Sequence, residues 1–371
     1  MRKNIQFIAV VLIIIIFSSC TSTKQVATEP QKDTKLYELA TVGFYNLENL
    51  FDTIVDPDPN KILQDEFTPN GKNHWTGSHY KKKIVDMSNI IAKLGSNIPT
   101  KSVSIVGADA KSTAPMIVGL SEVENKGVVV DLTQSEALKP YNYGVVHYES
   151  PDRRGIDVAL IYRKDFVTIK SSESRRLYFP EVDDFRTRDQ LVVEADLKGE
   201  SIYIIVNHWP SRRGGEKRSS PRREAAAKLS RSIVDSLTVL NPNAKIIVMG
   251  DLNDDPTNKS VKKVLNTSAD KNNIEEGQMY NPMEKKYKNG NGTGAYNDVW
   301  NLFDQLIISK PLVVSDTKSW KYYNAKIYKS SELIQQSGKY KNYPKRTYSF
   351  GSWIGGYSDH FPVYLFLIRE K

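Results

Sequence analysis

Cysteine is nearly absent. Cys20 is the only one among 371 residues, so neither an intramolecular disulfide framework nor a cysteine zinc site can form. Long hydrophobic runs are missing as well: the apolar stretch Phe7 to Phe17 is too short to span a bilayer comfortably. There is no internal repeat. With 39% hydrophobic and 26% charged residues, the composition excludes a disordered, collagen-like or polytopic chain. What remains is an ordinary globular protein, long enough for two small domains or one large one, and one is expected. The formal charge of +9 leans it towards anionic partners such as nucleic acid or acidic lipid.

Arg2 and Lys3 precede the apolar run, and Ser18-Ser19-Cys20 follows it at once, which reads as a secretory leader. Small residues before a cysteine resemble the lipobox of bacterial lipoproteins, although Phe17 stands where leucine is preferred. That resemblance implies a signal peptide over residues 1–19 and lipidation of Cys20. It places the protein in the cell envelope, membrane-anchored at the periplasmic face or the cell surface, with plain secretion as the alternative. Residues 20–35 are rich in Thr, Lys, Gln and Glu without apolar periodicity and read as the anchor and a flexible tether. A single folded domain is expected over 36–371.

Within that domain short apolar runs end in polar clusters: Thr41–Tyr45, Met116–Leu120, Ile156–Tyr162, Leu191–Ala195, Ile202–Val206, Lys245–Met249, Gln305–Ser309 and Val363–Ile368. These read as strands, several buried on both faces. Helical spacing appears over Tyr80–Leu94, with Ile84, Met87, Ile91 and Leu94 on one face, and over Arg222–Leu240, with Leu229, Ile233 and Leu237. A short helix is expected over Thr257–Leu265. Gly277–Asn297 and the tyrosine- and lysine-rich Lys321–Arg346 read as long surface loops, the second a solvated insertion or a surface for stacking bases or sugars. Strands mixed with helices give an α/β or α+β domain.

The informative residues sit at strand ends. Asn46-Leu47-Glu48-Asn49, Ser121-Glu122, Asn207-His208, Gly250-Asp251-Leu252-Asn253, Asp304 and Ser358-Asp359-His360-Phe361-Pro362-Val363 each place carboxylate, amide or imidazole groups at the edge of an expected strand. Each alone has a bland explanation: an Asx turn, a capped loop, a surface charge. In this order and setting they are hard to ascribe to chance, and clustered they would form one polar site.

Together these motifs resemble the endonuclease/exonuclease/phosphatase superfamily, the deoxyribonuclease I-like fold, over roughly Ala40 to Ile368. The resemblance implies an α+β sandwich of two packed mixed β-sheets flanked by helices, and metal-dependent cleavage of phosphate esters. Such cleavage needs positive charge on the non-bridging oxygens, an oriented water and help for the leaving oxygen. By the resemblance Glu122 is the main metal ligand, with Glu48 and Asp359 binding directly or through water. Magnesium is the expected ion, with manganese or calcium as alternatives. Asp251 would orient or deprotonate the water, and Asn253 and Asn46 would hold water and phosphate. His360, fixed by Asp304, would donate to a phosphate oxygen, and His208, preceded by Asn207, would stabilise or protonate the leaving group. Asn207 is placed with the substrate-binding residues.

Ser150 to Leu160 also looks like a family segment, in which Arg154 grips phosphate and Asp157 supports the network. The run Arg212-Arg213-Gly214-Gly215-Glu216-Lys217-Arg218, continued by Arg222 and Arg223, reads as phosphate-attracting, with Arg212 a substrate contact. His74, His79 and His147 lack such context and are left structural. The leading reading is a monomeric nuclease or phosphodiesterase acting on nucleic acid outside the cytoplasm. A phospholipid or inositol-phosphate phosphoesterase and a non-catalytic binding module of the same fold stand as alternatives.

Overall fold

The computed structural model describes residues 35–61, 64–96, 104–106, 114–349 and 351–371. The leader, Cys20 and all but the last residue of the tether lie outside the described residues. The strands are β1 (Leu36–Leu50), β2 (Ser104–Ile105), β3 (Ile117–Val123), β4 (Tyr143–His147), β5 (Asp157–Arg163), β6 (Val167–Arg175), β7 (Gln190–Leu197), β8 (Glu200–His208) and β9 (Ile246–Asp251). They continue with β10 (Thr267–Ser268), β11 (Met279–Tyr280), β12 (Gly294–Tyr296), β13 (Val299–Asn301), β14 (Asp304–Ser309), β15 (Lys321–Ile327), β16 (Tyr348–Ser349), β17 (Ser352–Trp353) and β18 (Val363–Glu370).

Two seven-stranded sheets result. One runs β15-β18-β1-β3-β5-β4 with β2 beside β1, the other β10-β11-β14-β9-β8-β7-β6. Both are mixed: β1 is parallel to β3 and β8 to β9, whereas β18 and β14 enter antiparallel. Alternation along the strands builds the layers. Val42, Phe44, Leu160 and Leu365 of the first sheet meet Val193, Ile204, Met249 and Leu306 of the second in the inter-sheet core. The opposite face of the first sheet is covered by α1 (Gly77–Ile91) and α2 (Lys126–Gln134) through Ile84, Met87, Val128 and Leu132. That of the second is covered by α3 (Glu216–Leu240) through Ala226, Ala227, Ile233 and Val234. The fold is the expected α+β sandwich.

Several expectations are corrected. The first helix begins at Gly77, capped by Thr76. The long helix begins at Glu216 and carries Pro221 in its second turn, where the missing N–H strands only the carbonyl of exposed Lys217. Thr257–Leu265 contains a single wide turn, Ser260–Val264. Gly277–Asn297 is not a loop: it holds β11, the helix α4 (Pro282–Lys288) with Pro282 and Met283 buried, and β12. Lys321–Arg346 opens with the edge strand β15, whose Tyr322 packs towards the inter-sheet core and Tyr323 towards the outer layer. Its first tyrosines and lysines are those of a strand with half-covered faces, while Tyr328, Tyr340 and Tyr343 follow beyond the strand.

Register brings the polar ends to one pole. Asn46 lies opposite Ser121 across β1 and β3, while Asp251 faces His208 across one ladder and Asp304 across the other. His360 immediately precedes β18, whose Val363 pairs with Phe44.

Candidate active site

The backbone breaks its own rules where the site begins. Glu48, Asn49, Glu122 and Asn253 all have positive φ, between 46° and 59°. The register shifts between Asn46 and Leu50 and between Ser121 and Val123 fall at these residues. A left-handed conformation is costly for glutamate, and the bulges turn both carboxylates out of the sheet towards the pole. Gly250 is dictated by crowding: a Cβ there would sit 2.2 Å from the carbonyl oxygen of Asn207 on the parallel neighbour β8.

The side chains form a ring. Glu122 Oε1 lies 3.7 Å from His208 Nε2, which lies 3.5 Å from Asp251 Oδ2. Asp251 Oδ2 accepts from Asn46 Nδ2 at 3.1 Å and lies 3.8 Å from His360 Nε2. His360 Nε2 is 3.9 Å from Asp359 Oδ1, and its Nδ1 is bonded to Asp304 Oδ2 at 2.7 Å. Arg346 then bridges Asp359 to Glu48, and the backbone N–H of Asn49 donates to Glu122 and closes the circle.

The ring's electrostatics follow from burial. Burial pushes Asp251 up to about 6, with the nearby His360 charge working against the rise. Burial, reinforced by Asp359, pushes Glu48 up to about 7. For His360 burial acts against charge, but Asp304 and then Asp251 overcome it and hold the imidazolium well above its ordinary range. For His208 burial and the cations Arg188, Arg154 and His360 act together and hold it neutral. Its Nδ1 is buried without a partner, so the proton is assigned to Nε2, facing the carboxylates.

Two predicted contacts are corrected. Asn207 is fully buried, and its amide is spent on the carbonyls of Ile205 and Met249, on Trp209 Nε1 and on Ser230 Oγ, leaving nothing for substrate. Arg212 is caged: it donates to Asn253 O, Glu216, Asp254, Asp255 and Asn258, and its guanidinium lies 4.6 Å from the Phe303 ring. Arg212 braces the loop after Asp251, and Asn207 ties β8 to β9 and to α3. Asn253 also works inward, donating its side-chain amide to Trp209 O and its N–H to Asp251. Arg154 stands at the rim, 3.8 Å from Glu122 Oε1 and one third exposed.

Two cations escaped sequence reasoning. Arg346 belongs to a segment read as a surface loop. Lys83, on the apolar face of α1, is fully buried and donates to Thr347 Oγ1 and the Tyr357 carbonyl; burial pulls it down to about 8. No local pattern marks either: both partners of Lys83 and the Glu48 partner of Arg346 lie some 260 to 300 positions away in the chain. Asp157 supports His147 and Ser150 rather than the ring. His79 stacks on Trp353 at 4.2 Å. A cavity of about 760 Å³ at the opposite pole, lined by Glu200, Arg231 and Lys245 among others, takes no part.

Glu48, Glu122 and Asp359 offer hard oxygen donors in a crowd of negative charge that Arg346, Arg154 and Lys83 offset, a donor set that fits magnesium. Their oxygens do not converge as a preformed cage. Among the described residues the group of three whose ligand atoms lie within 4.8 Å of one another is His147, Glu149 and Asp157, already paired with each other or with Lys61.

The family model for the endonuclease/exonuclease/phosphatase family matches residues 41–369. The chain belongs to that family. Among solved structures it resembles a family protein from Bacteroides thetaiotaomicron, with 17% identity, a TM-score of 0.52 and coverage of 91% of this chain and 97% of that one. It also resembles TDP2 of D. rerio complexed with single-strand DNA product, with 14% identity, a TM-score of 0.51 and coverage of 89% and 98%. These likenesses show the fold. No curated protein matches the chain. Members of the family are phosphoester hydrolases.

Proposed function

We propose that the protein is a divalent-metal-dependent hydrolase of nucleic-acid phosphodiester bonds, working outside the cytoplasm on a lipid tether at Cys20. One observation carries the hydrolase reading: Asp251 stands between Asn46, neutral His208 and the charged His360–Asp304 pair. A carboxylate held near 6 is ionised at neutral pH yet basic enough to take a proton from water. Asn46 fixes its orientation. His360, kept charged by Asp304, donates from Nε2 to a phosphate oxygen where negative charge grows. His208 offers an Nε2–H to the departing oxygen as a hydrogen bond, since a neutral ring has no surplus proton to give. A divalent cation held by Glu122, with Glu48 and Asp359 beside it, would supply positive charge to the phosphate and the leaving oxygen.

Nucleic acid is supported by an excess of basic over acidic side chains that remains once Arg2 and Lys3 leave with the leader, and by exposed Arg213, Lys217 and Arg218 a few residues beyond His208. The deciding experiment is a substrate panel of single- and double-stranded DNA, RNA, sphingomyelin and inositol phosphates, with magnesium and after exhaustive chelation. Cleavage of the polynucleotides that stops on chelation and in Glu122→Gln is expected. Turnover of lipid or inositol phosphates alone overturns the substrate, full turnover without metal overturns the metal, and no turnover at all leaves a binding module.

A further inference from the structure

Arg346 is built like a functional residue. The backbone on either side of it is held: Lys345 N donates to Leu333 O at 2.8 Å, Tyr357 N to Lys345 O at 2.7 Å and Thr347 N to Glu48 Oε2 at 2.6 Å. Gly356 packs so closely that a Cβ would sit 2.1 Å from the Arg346 carbonyl oxygen. Buried Lys83 fastens the same two strands of chain from beneath through Thr347 and Tyr357. Yet the side chain is half exposed, and it spends its fork on two separate carboxylates, Nε on Glu48 Oε1 at 3.2 Å and Nη2 on Asp359 Oδ2 at 2.9 Å. A structural arginine is usually buried with its partners; here a firmly held backbone presents a half-exposed cation at the mouth of the ring.

The chemistry of those partners gives the cation its task. Glu48 and Asp359 approach the same guanidinium from two sides, so two carboxylates share one cation at the mouth of the ring. A guanidinium supplies one charge through two hydrogen bonds, whereas a divalent ion supplies two and competes for the same oxygens. A planar fork released from two carboxylates, on a backbone that cannot leave, is matched to the oxygens of a phosphate bound beside them.

We propose that Arg346 is an exchangeable counter-cation: it neutralises Glu48 and Asp359 in the metal-free protein, yields them to the metal, and then contacts the substrate's phosphate. The inference rests on the metal reading of the site given above. Isothermal titration of the full chain with Mn²⁺, without substrate, tests the exchange, and titration of the Mn²⁺-loaded protein with inorganic phosphate tests the contact. In Arg346→Ala the Mn²⁺ dissociation constant should fall on the order of tenfold, and phosphate affinity should fall by a similar factor. Arg346→Lys, which keeps the charge but not the fork, should lie between wild type and alanine in both titrations, and Arg346→Gln repeats the test should the alanine variant not fold. Unchanged or weaker Mn²⁺ binding in the variants would show that Arg346 merely props the carboxylates, and unchanged phosphate affinity would remove the contact; either overturns the proposal. A wild-type chain that binds no Mn²⁺ would sink the metal reading itself, which separates the two failures.

Discussion

At the scale of single residues, the site is a set of charges that set each other's protonation. Asp304 is wholly buried beneath His360; its Oδ2 bonds the imidazole and its Oδ1 has no hydrogen-bond partner, so the carboxylate is directed at the ring. His360→Ala should lower the rate by roughly 10²- to 10⁴-fold on every cleaved substrate if the ring acts in the transition state. Asp304→Asn makes a finer prediction. Without the carboxylate that raises it, the His360 pKa falls, and the charged form is lost at lower pH. The loss of kcat/KM should therefore be larger at pH 8 than at pH 6. Equal losses in the two pH–rate measurements would mean that Asp304 orients the ring and leaves its charge alone. This pair, with Asn46, Asp251 and Glu122, was legible because a polar group at the end of a buried strand has few bland reasons to be there. Arg346 and Lys83 were not: a lysine on the apolar face of a helix looks like an error in the pattern until Thr347 and Tyr357 arrive from the far end of the chain.

At the scale of elements, the arginine-rich entry to α3 divides into two populations that one run of letters conceals. Arg212 and Arg223 turn inward onto Asp254 and Asp255; Arg223 Nε lies 2.7 Å from Asp254 Oδ1, a close ion pair whose N–H is not aligned as a hydrogen bond. Both Arg223 and Asp254 are buried, so Arg223→Ala leaves a buried carboxylate with one counter-charge fewer. It should cost roughly 3–5 kcal/mol in denaturant unfolding. A loss under 1 kcal/mol would show that Arg212 and Ser260 satisfy Asp254 alone. Arg213 and Arg218 remain exposed. If they neutralise phosphates of a nucleic-acid backbone, replacing both should flatten the salt dependence of binding to duplex DNA, by about 0.9 log unit for each phosphate left without its arginine. An unchanged slope makes the run a solvated face. Strand cores such as Ile246–Asp251 and Asp304–Ser309 were legible from their apolar runs. The edge strand β15 was missed because a strand covered by only one neighbour keeps lysines and tyrosines along its length, the composition of a loop.

At the scale of the whole molecule, the ends of β1 sit at opposite poles. Leu36 opens the strand beside the chain's last residues, with Tyr37 opposite Glu370 and Lys371 N donating to Leu36 O. The strand then carries Asn46 and Glu48 into the ring, a run of roughly 30 Å at the usual rise of a strand. A chain held at Cys20 would therefore be attached at the pole away from the site. With the attachment at that pole, the ring is free to face solution rather than the bilayer. That geometry suits a soluble polyanion and disfavours a headgroup embedded in the membrane that holds the protein. One acyl chain gives marginal attachment, so stable anchoring implies several on the cysteine. Cys20→Ser should release the protein from membrane fractions, or leave it unprocessed, while phosphodiesterase turnover on soluble substrate stays within about twofold of wild type, because β1 starts at the pole away from the ring. Fractionation of the wild type with cytoplasmic enzymes, or an intact amino terminus with unmodified Cys20 in the mass spectrum, would reject the anchor. Loss of turnover on soluble substrate in a correctly folded Cys20→Ser protein would reject the separation of poles.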